Sequence, residues 1–236
     1  MNNEGLHLFL FTVGEKVTQK TLDSIRAFTP KPYRLTIWYD ACGRKIDWNF
    51  YDQLANQCDD IVLLSQNHGI TEAVGFALLY HHAEFIMLVF ADNVLLPGYY
   101  DRLMEPFLNH PNLISAGHSY KPLKTAYELS NLDNFPDGAQ MIRRDYLDEV
   151  GGISPAFRIY GHELTEFYYR ALSLGFDVAA CKDILNGTFE AHEGRDQLDD
   201  KEHIIDHNSR TLLSMQRLGF GSYPWWSRTV MEDSIV

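Results

Sequence analysis

Phe85-Ile86-Met87-Leu88-Val89-Phe90 runs straight into Ala91-Asp92-Asn93, and then into Val94-Leu95-Leu96-Pro97-Gly98. Six apolar residues in succession, several β-branched or aromatic, predict a strand buried on both faces. An acid and an amide at the carboxyl end of such a strand put polar groups where an open α/β sheet keeps its ligand crevice. Asp92 is then either a ligand-facing group or the start of the turn that Pro97-Gly98 completes.

Similar signals flank this stretch. Leu6 to Val13 predicts a first buried strand, followed by a helix over Thr18 to Phe28 with Leu22, Ser24 and Ile25 inward, stopped by Pro30 and Pro32. Tyr33 to Tyr39 is a second strand that ends in Asp40, and Asp60 to Ser65 is a third. Asn67-His68-Gly69 and a helix through Ala73 to Tyr80 lead back to Phe85. Strands and helices alternating at such short intervals require crossover connections, hence a largely parallel sheet with Asp40 and Asp92 opening on one edge. Beyond Pro97 the pattern predicts a helix at Tyr99 to Asn109, a strand at Leu113 to Ala116 and an irregular stretch from His118 to Asp137. A helix at Arg144 to Val150 follows, then the turn Gly151-Gly152 and a helix from Glu163 to Leu174. One or two strands within Val178 to Phe189 and a helix over Lys201 to Leu218 close the pattern.

The bulk properties narrow the function classes. A chain of 236 residues with 45% hydrophobic and 13% aromatic content can bury an ample core. Its formal charge of -12 argues against broad binding to nucleic acid or anionic lipid, though one nucleotide held through a metal ion stays compatible. Cys42, Cys58 and Cys181 are too scattered for a disulfide framework or a zinc site, which points to a reducing, cytoplasmic setting. No segment reads as a leader or transmembrane span, so Asn186-Gly187-Thr188 is taken as a chance sequon. Pro224-Trp225-Trp226 would pack back on the domain, dock a partner or touch a membrane surface peripherally. His203 and His207, four apart with no acid in step, and His81-His82 read as surface histidines rather than metal ligands.

The order of these features resembles the family 2 inverting glycosyltransferases, which have the GT-A fold, from about Leu6 to Leu218. Asp40, after Ile37-Trp38-Tyr39, stands where that family keeps an aspartate for the nucleoside. Asn67-His68-Gly69 resembles its N-x-G segment, and Phe90-Ala91-Asp92 with Pro97-Gly98 its D-x-D element and turn. Gly138, Arg143-Arg144 and Val150-Gly151-Gly152 follow in family order. Glu163, then Arg170 and Gly175-Phe176, reproduce the spacing of its "ED" helix, and His192-Glu193-Gly194-Arg195-Asp196 its late histidine segment. The resemblance implies an α/β GT-A (nucleotide-diphospho-sugar transferase) fold: a mostly parallel central sheet flanked by helices, in a single domain over 1–236. Residues 1–98 would form a nucleotide-binding half, 99–218 an acceptor and catalytic half, and 219–236 a tail.

It also implies a chemistry. Two donor phosphates entering an acidic protein call for a divalent cation, which also stabilises the leaving diphosphate. Asp92 and His192 would be its protein ligands, a carboxylate and imidazole set that suits Mn2+ and also admits Mg2+. Asp40, Asn67, Gly69, Asp92 and Gly138 would hold the nucleotide sugar, a uridine diphosphate sugar in most such families. Inversion needs a general base on the hydroxyl of a glycan or other acceptor, and Glu163, or else Glu166 one turn on, would supply it. The sequence departs from the pattern at two places: Phe90 replaces the first acid of D-x-D, and Leu164 replaces the second residue of "ED". Asn93 is then a candidate extra oxygen donor. A GT-A-fold binding or scaffolding module without turnover is the alternative those two departures support. Glu163 as a helix-start carboxylate favoured by the macrodipole, Glu166 on a solvated face, Asp40 as a cap of the loop toward Gly43, and solvated Arg143 and Arg144 are the plainer readings of the same residues.

Overall fold

Strand β1 (Leu6–Thr12) is buried at all seven positions, and β4 (Phe85–Phe90) at five of six. Their alternate residues enter two different cores. Leu6, Leu8 and Leu10 with Phe85, Met87 and Val89 join one cluster, while Phe9 and Phe11 with Ile86 and Leu88 join the other. A strand with period-2 burial on both faces must lie inside a sheet covered by helices on each side. The computed structural model shows that arrangement; it describes residues 5–14, 16–41, 43, 45–66, 68–80, 83–131, 134–157, 159, 161–185 and 201–218.

Helix α1 (Thr18–Phe28), β2 (Arg34–Asp40), α2 (Trp48–Ala55), β3 (Asp60–Leu64) and α3 (Gly69–Tyr80) complete the first half with β1 and β4. The second half holds α4 (Tyr99–Asn109), β5 (Leu113–His118), β6 (Tyr127–Leu129) and β7 (Asp137–Arg143). A 3-10 turn (Arg144–Tyr146), α5 (Leu147–Val150), α6 (Glu163–Ser173), β8 (Asp177–Cys181) and α7 (Lys201–Leu218) follow. One sheet runs through both halves in the order β3-β2-β1-β4-β7-β5-β8-β6. β1 to β4 are mutually parallel, β7 lies antiparallel to β4 and to β5, and β6 antiparallel to β8. The chain steps outward from β1 through β2 to β3 and returns to β4 on β1's other side. That reversal opens a crevice at the carboxyl ends of β1 and β4.

Three elements escaped the sequence reading. α2 is announced by Asp47, whose Oδ1 accepts from the Asn49 and Phe50 amides at 3.0 and 3.1 Å. β6 lies inside the stretch expected to be irregular. β7 carries no clean alternation, because Gly138, Ala139, Gln140, Met141 and Ile142 are all buried and Gln140 is a polar core residue. The helix expected at Arg144 to Val150 splits into the 3-10 turn and α5.

Gly69 is where the second half closes on the first. It opens α3 at φ +74°, and a Cβ there would lie 2.3 Å from the Ile159 carbonyl oxygen and 2.5 Å from its Cα. The same carbonyl accepts the Thr71 amide at 3.0 Å. The substitution Gly69→Ala combines a disfavoured backbone with a clash against main chain, so it is expected to cost more than about 1 kcal/mol in urea unfolding, while Gly43→Ala, with open space around it, costs less.

Candidate functional site at the β1–β4 crevice

The Asp92 turn is held from behind by α1. Thr21 Oγ1 donates to the Ala91 carbonyl at 2.5 Å, and the Leu95 amide donates to Ser24 Oγ at 3.0 Å. Asn93, 2% exposed, accepts the Phe90 amide through Oδ1 at 3.3 Å and donates through Nδ2 to Asp92 Oδ1 at 3.0 Å. Its amide oxygen thus accepts from the main chain, and its amide nitrogen orients Asp92. Asp92 itself is half-buried at the strand end. Phe90 packs on Phe11, ring centroids 5.6 Å apart, so the position of the missing acid is occupied by core packing.

Asp40 is 3% exposed at the end of β2. Its Oδ2 accepts the His68 amide at 2.9 Å and the Gly69 amide at 3.4 Å, fixing the turn that enters α3. The carboxylate therefore caps the start of α3, and Asp40 and Gly69 meet through the main chain. Gly69 is a glycine for the sake of Ile159. Asn67 lies outside the described residues.

Asp137 opens β7 with its side chain exposed, and Oδ1 accepts the Gly138 amide at 2.7 Å. Gly138 has φ +66°, and a Cβ there would stand 3.0 Å from Leu185 Cδ1, 3.1 Å from the Tyr120 hydroxyl and 3.6 Å from Asn93 Oδ1. Asp92's turn, Tyr120 and β7 thus converge over a residue that has no side chain. Burial raises the Tyr120 hydroxyl's pKa, and the charges of Asp137 and Asp92 raise it further. The ring of His118 meets Tyr120 edge-on at 4.7 Å. Burial lowers the His118 pKa against the opposing pull of Asp137 and Asp183, and its Nδ1 is buried with no partner among the described residues. Asp137, His118 and Tyr120 were not singled out from the sequence; the one available signal was the turn-forming Pro136-Asp137-Gly138.

Glu163 and Glu166, both at the start of α6, have separate fates. Glu166, 1% exposed, pairs through both oxygens with Arg170 at 2.8 Å. Arg170 in turn donates to the Val150 carbonyl and, at 2.7 Å, to the Gly152 carbonyl. This buried cluster ties α6 to the Gly151-Gly152 turn and leaves Glu166 neither on a solvated face nor available to an acceptor. Glu163, 7% exposed, keeps Oε2 without a hydrogen-bond partner among the described residues. Burial pushes its carboxyl up to about 7, the amides of Glu163 and Gly161 pull the other way, and the charge of Asp137 adds to the rise. A buried acid that titrates near neutrality suits a proton acceptor.

Other candidates fall away from this edge. Arg143 lies over the rings of Phe107, Tyr146 and Phe85 at 5.2, 5.6 and 5.8 Å and donates to the Pro111 carbonyl at 2.8 Å. It pairs with Phe85 at the amino end of β4, the opposite end from Asp92. Arg143 is therefore a packing residue, neither a phosphate ligand nor fully solvated. His192, the Asn186 sequon, His81-His82, Cys42 and Pro224-Trp225-Trp226 lie outside the described residues. Among the described residues no three His, Cys, Asp or Glu side chains form a group that could hold a metal, and no helix is long and apolar enough to cross a membrane.

No family model matches the sequence, and neither does any curated protein. Solved structures do match it. A mannosyltransferase, PcManGT from Pyrobaculum calidifontis, in complex with GDP-Man and Mn2+, superposes with TM-score 0.64 at 12% identity over 90% of this chain and 65% of that one. GalNAc-T7 with UDP, GalNAc and Mn2+ gives TM-score 0.58 at 15% identity over 79% and 44%. S. aureus TarS, residues 1–349, gives 0.56 at 15% identity over 78% and 58%. The chain has the fold of the GT-A glycosyltransferases. It spans about two thirds or less of the length of these structures. At the carboxyl end of β4 and the amino end of β7, Tyr120 meets His118 and lies under the charges of Asp137 and Asp92, and the charge of Asp137 also reaches His118 and Glu163.

The Glu163 carboxyl has a thermodynamic signature. Its folded pKa of about 7 lies above the ordinary 4.5, so the folded state binds the proton more tightly than the unfolded chain. Its burial costs least below pH 4.5, and stability is lost as pH rises from there to about 7. Stability curves of the wild type and Glu163→Gln, measured by urea unfolding from pH 4.5 to 8, should diverge across that window. The variant gains on the order of 3 kcal/mol relative to the wild type at the upper end.

Proposed function

We propose that this chain is a glycosyltransferase that moves a sugar from a nucleoside diphosphate donor to a hydroxyl of a glycan or other acceptor, with inversion and with the help of a divalent cation. The observation that carries the reading is Glu163: a buried carboxylate with an unpartnered oxygen, its carboxyl pushed up to about 7, at the start of α6 in a chain with the GT-A fold. Of the structures that share the fold, one is a mannosyltransferase in complex with GDP-Man and Mn2+, and another holds UDP, GalNAc and Mn2+, which supports the reading.

The residues divide the work. Asp40, capping α3 beside Gly69, would set the floor on which the nucleoside rests, with Asn67, which directly precedes His68 in sequence, as a further contact. Asp92, held by Asn93 and by the α1 hydroxyls, would present its carboxylate to the cation, with His192 as a second ligand. The donor set fits a hard ion such as Mn2+ or Mg2+, which is content with one or two protein carboxylates and takes further oxygens from phosphates. When bound, that ion would supply the positive charge the leaving diphosphate needs in an acidic protein. Gly138 would let the donor approach the main chain between Tyr120 and Asn93. Glu163 would take the proton from the attacking hydroxyl, and Glu166, committed to Arg170, would hold α6 in place.

Thermal melts with UDP and with GDP, each with and without Mn2+, are expected to show a metal-linked shift for one of them, absent in Asp92→Ala. Donor hydrolysis should accompany it; no metal-linked shift and no turnover in the wild type would sink the reading. Glu163→Gln should keep nucleotide binding while lowering turnover about 10²- to 10⁴-fold. Wild-type turnover should rise as pH passes through about 7, where Glu163 loses its proton, and that limb should vanish in the variant.

A further inference from the structure

Glu163 is the first residue of α6, and the backbone that delivers it is unusual. Ile159 has φ +49°, Gly161 +103° and His162 +67°. A β-branched residue at positive φ is an outlier, and histidine is uncommon in the left-handed region. Such backbone persists where contacts over-determine it, and contacts hold this segment at both ends. At one end the Ile159 carbonyl accepts the Thr71 amide at 3.0 Å, and Ile159 main chain fills the space where a Cβ on Gly69 would stand. At the other end α7 lies against Gly161 and His162. His162 Nε2 and Ser209 Oγ are 3.1 Å apart, and a Cβ on Gly161 would stand 4.0 Å from Asn208 Nδ2. Asn208 is fully buried on the helix face that also carries Leu212 and Met215, and those two join Phe157 in one apolar cluster.

His162 occupies the N-cap position of α6 without capping it. Its side chain makes no capping hydrogen bond, although its carbonyl accepts the Glu166 amide at 2.9 Å. An N-cap residue ordinarily has extended backbone and a short side chain turned back on the helix. Here the imidazole leaves α6 and reaches α7 instead. The amides one residue before His162 and one after it, those of Gly161 and Glu163, both donate to the Glu163 carboxyl group. A change of φ and ψ at His162 rotates one of these amides relative to the other, and the carboxyl group loses its common anchor. Building on the transferase reading above, in which Glu163 takes the acceptor proton, we propose that His162 and Ser209 are positioning residues. Their bond holds the left-handed turn that aims Glu163, so the base is set by a side chain 47 residues away from His162 along the chain.

The test is a double-substitution cycle on turnover, read as hydrolysis of uridine and guanosine diphosphate sugars. Ser209→Ala removes the bond and is expected to lower kcat about tenfold, with the donor KM and the melting temperature near those of the wild type. In the Glu163→Gln background the same substitution should cost nothing further, because it acts through the carboxylate. Ser209→Thr keeps the hydroxyl and should keep most of the wild-type kcat. His162→Gly accepts the left-handed backbone but loses the bond, and should fall with Ser209→Ala, which gives a second reading if the alanine variant folds poorly. Wild-type kcat in Ser209→Ala and His162→Gly, a loss carried by the donor KM, or an equal loss with and without Glu163→Gln overturns the positioning role and leaves the transferase reading standing. A wild type that hydrolyses none of these sugars overturns both.

Discussion

The pairing of β4 with β7 is the constraint on which the site depends. β4 is buried on both faces, so its first chance to present a polar group is at its carboxyl end, where Asp92 stands. The antiparallel strand beside it starts near where β4 stops, and brings Gly138 against Asn93 of the Asp92 turn. β7 then carries Gln140 into the core, where Tyr168 of α6 donates its hydroxyl to the Gln140 side chain. That bond and the Arg170 cluster set the position of α6, and with it the depth of Glu163. One strand pairing thus brings Gly138 to the Asp92 turn, and one buried polar network fixes how deeply the proposed base is buried.

Electrostatics follow from that geometry. Glu166 and Arg170 show how the fold treats a buried charge it means to keep: two 2.8 Å bonds to a guanidinium whose remaining donors reach main-chain carbonyls. Glu163, three residues earlier on the same helix face, receives no such partner. Two glutamates that look interchangeable by helical spacing therefore do different things, one structural and one with a carboxyl near neutrality. The contrast is the strongest local argument that α6 begins at a working site.

Much of the architecture was legible in the residue pattern. The strands of the first half, their parallel order and the helices α1, α4 and α7 follow from apolar runs and stop signals that need no tertiary information. Asp92 and Asp40 were visible because each closes an apolar strand, and Glu163 because a spaced arginine and glycine-aromatic pair follow it. β7 was not visible, because a strand that is buried throughout and contains glycine and glutamine has no period to read. Asp137, Tyr120 and His118 were missed for the same reason: their importance comes from which strand they lie beside. Arg143 could not be placed from spacing, because spacing says nothing about which way a side chain turns, here across three aromatic rings.

By itself, then, the sequence determined the α/β class, the run of crossovers, and the acids that end β2 and β4. These depend on local hydrophobic periodicity, which acts between residues near one another in the chain. The tertiary structure alone decided that Asp40 caps α3, that Glu166 is neutralised and Glu163 is not, and that Gly138 of β7 meets the Asp92 turn at Asn93. Each of those outcomes depends on a partner far away along the chain, and on the dielectric and hydrogen-bond surroundings that only packing creates.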